Sequence, residues 1–192
     1  MSETRDRLLQ TGERLFQLQG YAATGLKQLA AEAAAPWSSM YHFFPGGKEQ
    51  LGAEIIRYAA GRYAAKIDEA FAAFVDPVDA VAAIFRIECA ILEGSDFRNG
   101  CPVASVTLDV ASTVEALRQP CAEAFAAWTA AIARGFVAGG VEAQLAEDLG
   151  AYVLAALEGA IVLSRAAKNT LPLQRSGEAV RRGLRAQITQ QN

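Results

Sequence analysis

Few residues in this chain can staple or anchor it. Three cysteines, Cys89, Cys101 and Cys121, are odd in number and far apart in the 192 residues, which argues against a disulfide framework and fits buried thiols in a reducing compartment. His42 is the single histidine, and no cysteine pair stands at ligand spacing, so no metal site is expected. No apolar run follows the polar opening Met1 to Arg7, so no secretory signal is expected. The apolar stretch Ala151 to Leu163 is interrupted by Glu158 and too short to span a bilayer, which leaves a cytoplasmic protein without a membrane segment as the expectation. Gly46-Gly47-Lys48 lacks phosphate-loop spacing and is followed by Glu49 where a hydroxyl is needed. No dinucleotide fingerprint or nucleophile elbow is present, and one histidine cannot build a Ser/His/Asp set. Neither an enzyme nor a cofactor is expected.

What is present is helix-forming. Apolar residues make up 52% and charged ones 20%, with only 6 prolines, the composition of a folded domain. Alanine is abundant, and it is the best helix former. The net charge of −3 excludes a surface that coats nucleic acid or anionic membrane throughout. Residues 1–50 balance Arg5, Arg7, Arg14, Lys27 and Lys48 against Glu3, Asp6, Glu13, Glu32 and Glu49. Charge alone therefore gives no nucleic-acid footprint there.

Apolar spacing predicts a first helix from about Glu3 to Gly20, carrying Leu8, Leu9, Leu15 and Phe16 on one face. Thr24 reads as the N-cap of a short helix from about Gly25 to Ala34. A second short helix follows, with Pro36 in its first turn, and Pro45-Gly46-Gly47 ends it. A long helix is expected from Lys48 to about Val75. Asp76 as cap and Pro77 at the first position start the next, which ends in the loop Gly94 to Asn99. A short helix over Cys101 to Ala111 precedes a longer one, Thr113 to Ala138, in which Pro120 either makes a kink or marks the true first turn. Ala146 to Ala167 carries two apolar stripes, one through Leu149, Val153, Ala156, Leu157, Ala160 and Ile161, the other through Leu145, Tyr152, Ala155 and Val162. A helix apolar on two sides is buried on two sides. The last helix repeats Val180, Leu184 and Ile188 behind Arg181, Arg182 and Arg185.

Two short helices joined by a tight turn and packed on a third describe a helix-turn-helix, whose second helix enters the major groove. Leu15-Phe16, Gly20-Tyr21, Thr24, Leu29-Ala30, Ser39-Met40-Tyr41-His42, Phe44, Lys48 and Leu51 resemble the TetR family. Ala23-Thr24-Gly25-Leu26, Ala35-Pro36, Tyr41 to Leu51 and the later Gly100-Cys101-Pro102-Val103 look like its LmrA/YxaF-type branch. The resemblance implies an all-α fold of about nine helices. Residues 1–50 would form a three-helix helix-turn-helix DNA-binding domain, and residues 51–192 a ligand-binding and dimerisation bundle.

The resemblance also implies roles. Tyr41, His42 and Lys48 would contact backbone phosphate, as would Thr24 while capping its helix; Trp37 and Ser38, beside Pro36 and Ser39, would face bases, with Lys27 on the helix before. Three departures stand out. Ala34 occupies a turn position usually held by glycine, so a residue with Cβ has to take up an unfavourable conformation or the turn is reshaped. Trp37 and Ser38 replace a basic residue and a glycine. Tyr41, Phe43 and Phe44 read equally as an aromatic plug. The implied effector is a small hydrophobic molecule, aromatic ones included, held among Phe85, Glu88, Cys89, Thr107, Phe125, Trp128, Thr129 and Glu158; an ordinary core also accounts for them.

The doubly apolar helix calls for a partner copy, with Leu149, Tyr152, Val153, Ala156, Leu157, Ala160, Val180 and Leu184 at the dimer interface. The function expected is a transcriptional repressor that binds a palindromic double-stranded DNA operator as a homodimer and is released by its effector. The alternative is a helical ligand-binding or protein-interaction module that has lost DNA binding.

Overall fold

The structure, a computed structural model, describes residues 3–110 and 112–190. Among the described residues there are nine helices and no strand: α1 (Glu3–Gln19), α2 (Leu26–Glu32), α3 (Trp37–Phe43), α4 (Gly47–Ala72), α5 (Pro77–Gly94), α6 (Pro102–Val110), α7 (Glu115–Ala138), α8 (Ala143–Ala167) and α9 (Leu171–Thr189). Ala111, the expected end of the sixth helix, lies outside the described residues. By packing, one unit runs up to Gly61 and resumes over Cys101–Phe125, and the other holds Arg62–Gly100 and the chain from Ala126 on. The expected domain end at residue 50 lies in the first turn of α4.

In the first unit α1 buries Leu8, Leu9, Leu15 and Phe16, the residues its spacing puts on one face. That face meets α2, α3 and α6. Gly47, at φ +71°, makes the left-handed turn after Phe44 and starts α4. Gly52 allows α4 to approach closely, since a Cβ there would stand 2.9 Å from the Tyr21 ring and 3.0 Å from Leu117.

In the second unit Asp76 caps α5, its carboxylate accepting the Val78 N–H at 2.8 Å, and Pro77 sits in the first turn. α8 begins three residues before the expected Ala146, capped by Glu142, which accepts the Leu145 N–H at 3.0 Å. α5, α8 and α9 pack on one another. The Ser164 hydroxyl accepts the Leu173 N–H at 3.1 Å and so ties the α8–α9 connection. α7 starts at Glu115, so Pro120 lies inside the helix rather than in its first turn. By length and composition α8 could cross a membrane, but Ala146, Leu149, Val153, Leu157, Ala160 and Ile161 are buried in the protein, as a core helix requires.

Candidate nucleic-acid interface

The turn between α2 and α3 is built on three alanines. Ala33 closes α2, Ala34 takes φ +48°, and the Ala35 N–H reaches back to the Ala30 carbonyl at 2.9 Å. That 6→1 bond closes the helix end in the manner usually supplied by glycine at the left-handed position. Arg7 of α1 braces it from below: its Nε donates to the Ala33 carbonyl at 3.1 Å and its terminal nitrogen reaches the Ala34 carbonyl at 3.4 Å. Sequence reading missed Arg7. No spacing rule links it to a turn that lies 26 residues away.

α3 divides its residues cleanly. Met40 is buried and Phe44, just past the helix, is buried with it; Trp37 is 42% exposed and Tyr41 55% exposed. The two exposed rings are four residues apart and meet edge to face, with centroids 5.5 Å apart. Ser38 and His42 are also exposed, while Ser39 is half-buried. The plug is therefore Phe44, and Tyr41 belongs to the outer surface. Pro36 is the N-cap of α3 rather than part of its first turn, with φ −57° and ψ 139°, and its carbonyl accepts the Ser39 N–H at 2.9 Å.

Two expected contact residues are placed differently. Gly25, not Thr24, caps α2 in an extended conformation and makes no side-chain cap bond. Thr24 falls one position early, is 2% exposed, and donates its hydroxyl to the Gly20 carbonyl at 2.6 Å; it closes the α1–α2 loop and presents nothing to a phosphate. Lys48 is half-buried, its Nζ donating to the Ala22 carbonyl at 3.2 Å and lying 4.4 Å from the centroid of the Tyr21 ring. Burial pulls its pKa below the usual lysine value, with the nearby Asp109 carboxylate acting the other way.

Most cations of the head are already engaged. Arg5 pairs with Glu54, Arg14 with Glu32, and Arg7 with Glu3. Lys27 is exposed on α2 and makes no ion pair among the described residues. The exposed face of α3 is thus aromatic and hydroxylic rather than a basic stripe.

The expected ligand residues do not form one cluster. Phe85 and Cys89 line a cavity of about 280 Å³ between α5 and α9, together with Arg86, Leu173 and Gly177. Glu88 is buried one turn along from Phe85 and accepts the Tyr63 hydroxyl at 2.9 Å; Tyr63 in turn meets Trp128 edge to face at 4.9 Å. Burial pushes the Glu88 carboxyl up, against the opposing effects of the Tyr63 bond and the Lys66 charge. Thr129 and Glu158 are half-buried in the same unit. Thr107, whose hydroxyl donates to the Val103 carbonyl at 2.8 Å, and Phe125 belong to the first unit.

Most of the residues expected at a dimer interface are used inside the chain. Leu149, Val153, Leu157, Ala160, Val180 and Leu184 are buried where α5, α8 and α9 meet, and Ala156 is half-buried. The six buried ones complete this chain's own core. Tyr152, 41% exposed, is the one expected interface residue that lies open. It heads an outward stripe with Ala155, Gly159, Val162 and Leu163.

A helix-turn-helix whose second helix faces outward, carried by the first of two all-helical packed units, is the arrangement of a bacterial DNA-binding regulator. Residues 8–55 match the family model for bacterial regulatory proteins of the tetR family, and residues 77–179 match that for the C-terminal domain of LmrA/YxaF-like transcriptional regulators. The HTH-type transcriptional regulator YxaF of Bacillus subtilis is 36% identical over 171 residues, covering 89% of this chain and 90% of that one. The regulatory protein TetR from Rhodobacter sphaeroides superposes with a TM-score of 0.83 at 21% identity, over 94% of this chain and 98% of that one. The TetR-family regulator CifR, solved as a cysteine mutant with a 26-bp double-strand operator DNA, superposes with a TM-score of 0.76 at 23% identity, over 93% and 95% of the two chains. This chain belongs to the TetR family of DNA-binding transcriptional regulators, in its LmrA/YxaF-like branch, and its relatives are regulators rather than enzymes.

Proposed function

We propose that this regulator is a cytoplasmic repressor that binds a near-palindromic operator as a homodimer and is released by a small hydrophobic effector. Residues 1–50 serve as the reading head and residues 51–192 as the effector-binding and dimerising body. The observation that carries the reading is the exposure of Trp37 and Tyr41 on α3 while Met40 and Phe44 anchor the same helix from behind. Trp37 and Ser38 face bases, Tyr41 and His42 face phosphate, and Lys27 adds the local cation. The outward stripe of α8 pairs with its copy and sets the two heads one helical turn of DNA, or a multiple of it, apart. The effector binds better to a form with a different head spacing, and only that differential affinity can loosen DNA.

A second reading rests on the same head: with all three of its arginines engaged in ion pairs, the chain is a helical ligand-binding module that has given up DNA. Selection of duplexes from a random-sequence pool separates the two. Recovery of a palindrome whose binding weakens steeply with salt supports the repressor. Failure to enrich any duplex at low salt supports the module.

A further inference from the structure

α6 opens on Gly100-Cys101-Pro102-Val103, the element outside the head that carries the branch resemblance, and ends at Val110. Its first turn is held by Cys101, whose Sγ accepts the Ala104 N–H at 3.3 Å. Its last turn contains Asp109, and a carboxylate is out of place there, because the C-terminal end of a helix carries the negative end of the backbone dipole. Something outside α6 has to account for it.

The α1–α2 loop does. Asp109 Oδ2 accepts the backbone N–H of Ala22 at 2.8 Å, across 87 positions of sequence. The carbonyl of Ala22 accepts from Lys48 Nζ of α4 at 3.2 Å. Ala22 is therefore held at its N–H by α6 and at its C=O by α4. Gly20, at φ +76°, turns the chain directly against the carboxylate: a Cβ there would stand 3.3 Å from Asp109 Oδ2. The next residue, Tyr21, is buried, packs edge to face on Phe16 of α1 at 5.7 Å, and lies under the Lys48 ammonium. Thr24 closes the loop on Gly20, and Gly25 then caps α2. All these groups belong to the first unit.

We infer that Asp109 is a positioning residue for DNA binding: through Ala22 and Lys48 it fixes the α1–α2 loop, and with it the start of the helix-turn-helix. It touches no DNA. Because the acceptor is charged, its bond to Ala22 is of the stronger kind, and a neutral side chain cannot also hold Lys48 over the loop by charge. The inference rests on the DNA-binding reading of the head.

The test uses the whole chain and a duplex that the wild-type protein itself selects from a random pool. Binding of Asp109→Ala and Asp109→Asn to that duplex is measured by fluorescence anisotropy, with amide hydrogen exchange followed on the free proteins. Asp109→Ala is expected to bind about tenfold more weakly, the scale of one lost charge-assisted bond, with faster exchange confined to residues 20–25. Asp109→Asn keeps an acceptor but not the charge, and is expected to fall between wild type and Ala. Binding of the Ala variant within twofold of wild type overturns the inference. So does a loss of affinity accompanied by faster exchange throughout α1, α4 and α6, the mark of a merely structural role. If the wild-type protein selects no duplex, the DNA-binding reading fails first, and the two failures are thereby told apart.

Discussion

At the scale of single residues, Ala34 carries a measurable strain. An L-residue with Cβ in the left-handed region is about 1–2 kcal/mol less favourable than in the right-handed one, and glycine is exempt. Ala34 sits there at φ +48°. Ala34→Gly should therefore stabilise the protein by about 1 kcal/mol, less the extra freedom glycine brings to the unfolded chain, and chemical denaturation at equal m-value reads it. A destabilised glycine variant would mean that the turn uses the alanine methyl. This strain was legible in the sequence, because a missing glycine at a fixed turn position is a backbone statement. Glu88 was legible only as a polar residue among apolar ones. Its pairing with Tyr63, 25 residues away on another helix, depends on how α4 and α5 pack. The folded-state pKa of Glu88 lies above its unfolded value, so the native state holds the extra proton between the two and stability falls as pH rises through that window. Glu88→Gln removes this slope, and its Tm should drop less than that of wild type between pH 4.5 and neutrality. An unchanged pH profile would show that another group sets it.

Among the elements, glycines that look alike in sequence separate once helices are packed. Gly61 in α4 has open space where a Cβ would go, so Gly61→Ala should gain about 0.5–1 kcal/mol of helix stability. Gly150 in α8 is the opposite case, since a Cβ would stand 2.7 Å from the Thr129 carbonyl oxygen of α7. Backbone cannot step aside as a side-chain tip can. Gly150→Ala should lose about 1–3 kcal/mol by overpacking, despite the better propensity of alanine. Thermal melts of the two variants should move in opposite directions, and a stabilised Gly150→Ala would refute the close crossing of α7 and α8. Helix existence and order were readable from apolar period, proline and capping residues, because those signals are local. Which stripe of α8 faces inward was not. Both stripes are apolar, and only the positions of α5 and α9 decide that Leu149, Val153 and Leu157 are spent on the chain's own core. The same limit displaced Thr24: its loop is drawn closed by a bond to Gly20, and the cap passes to Gly25.

For the molecule as a whole, the exposed side of α8 decides whether the proposed repressor can exist. Tyr152, Ala155, Gly159, Val162 and Leu163 form an apolar strip along a helix whose other side is already buried, and such strips mark contact sites. Small residues at 155 and 159 would let a second helix come near in the proposed dimer, while Tyr152, Val162 and Leu163 would supply the area to bury. An arginine at 155 would put a charge at the centre of that contact and desolvate it without a partner on the opposing copy, where the same arginine arrives by symmetry. Within one chain Ala155 is exposed, so Ala155→Arg leaves the fold and its far-ultraviolet spectrum unchanged. The variant should sediment as a single chain at micromolar concentration where the wild type sediments as two. Its operator binding should fall by far more than the twofold that one lost contact gives, because two heads on one palindrome gain from effective concentration and a single head does not. An Ala155→Arg protein that remains a dimer places the interface elsewhere. One that becomes a monomer and still grips its operator as tightly removes the paired heads from the mechanism and leaves the half-site alone to account for binding.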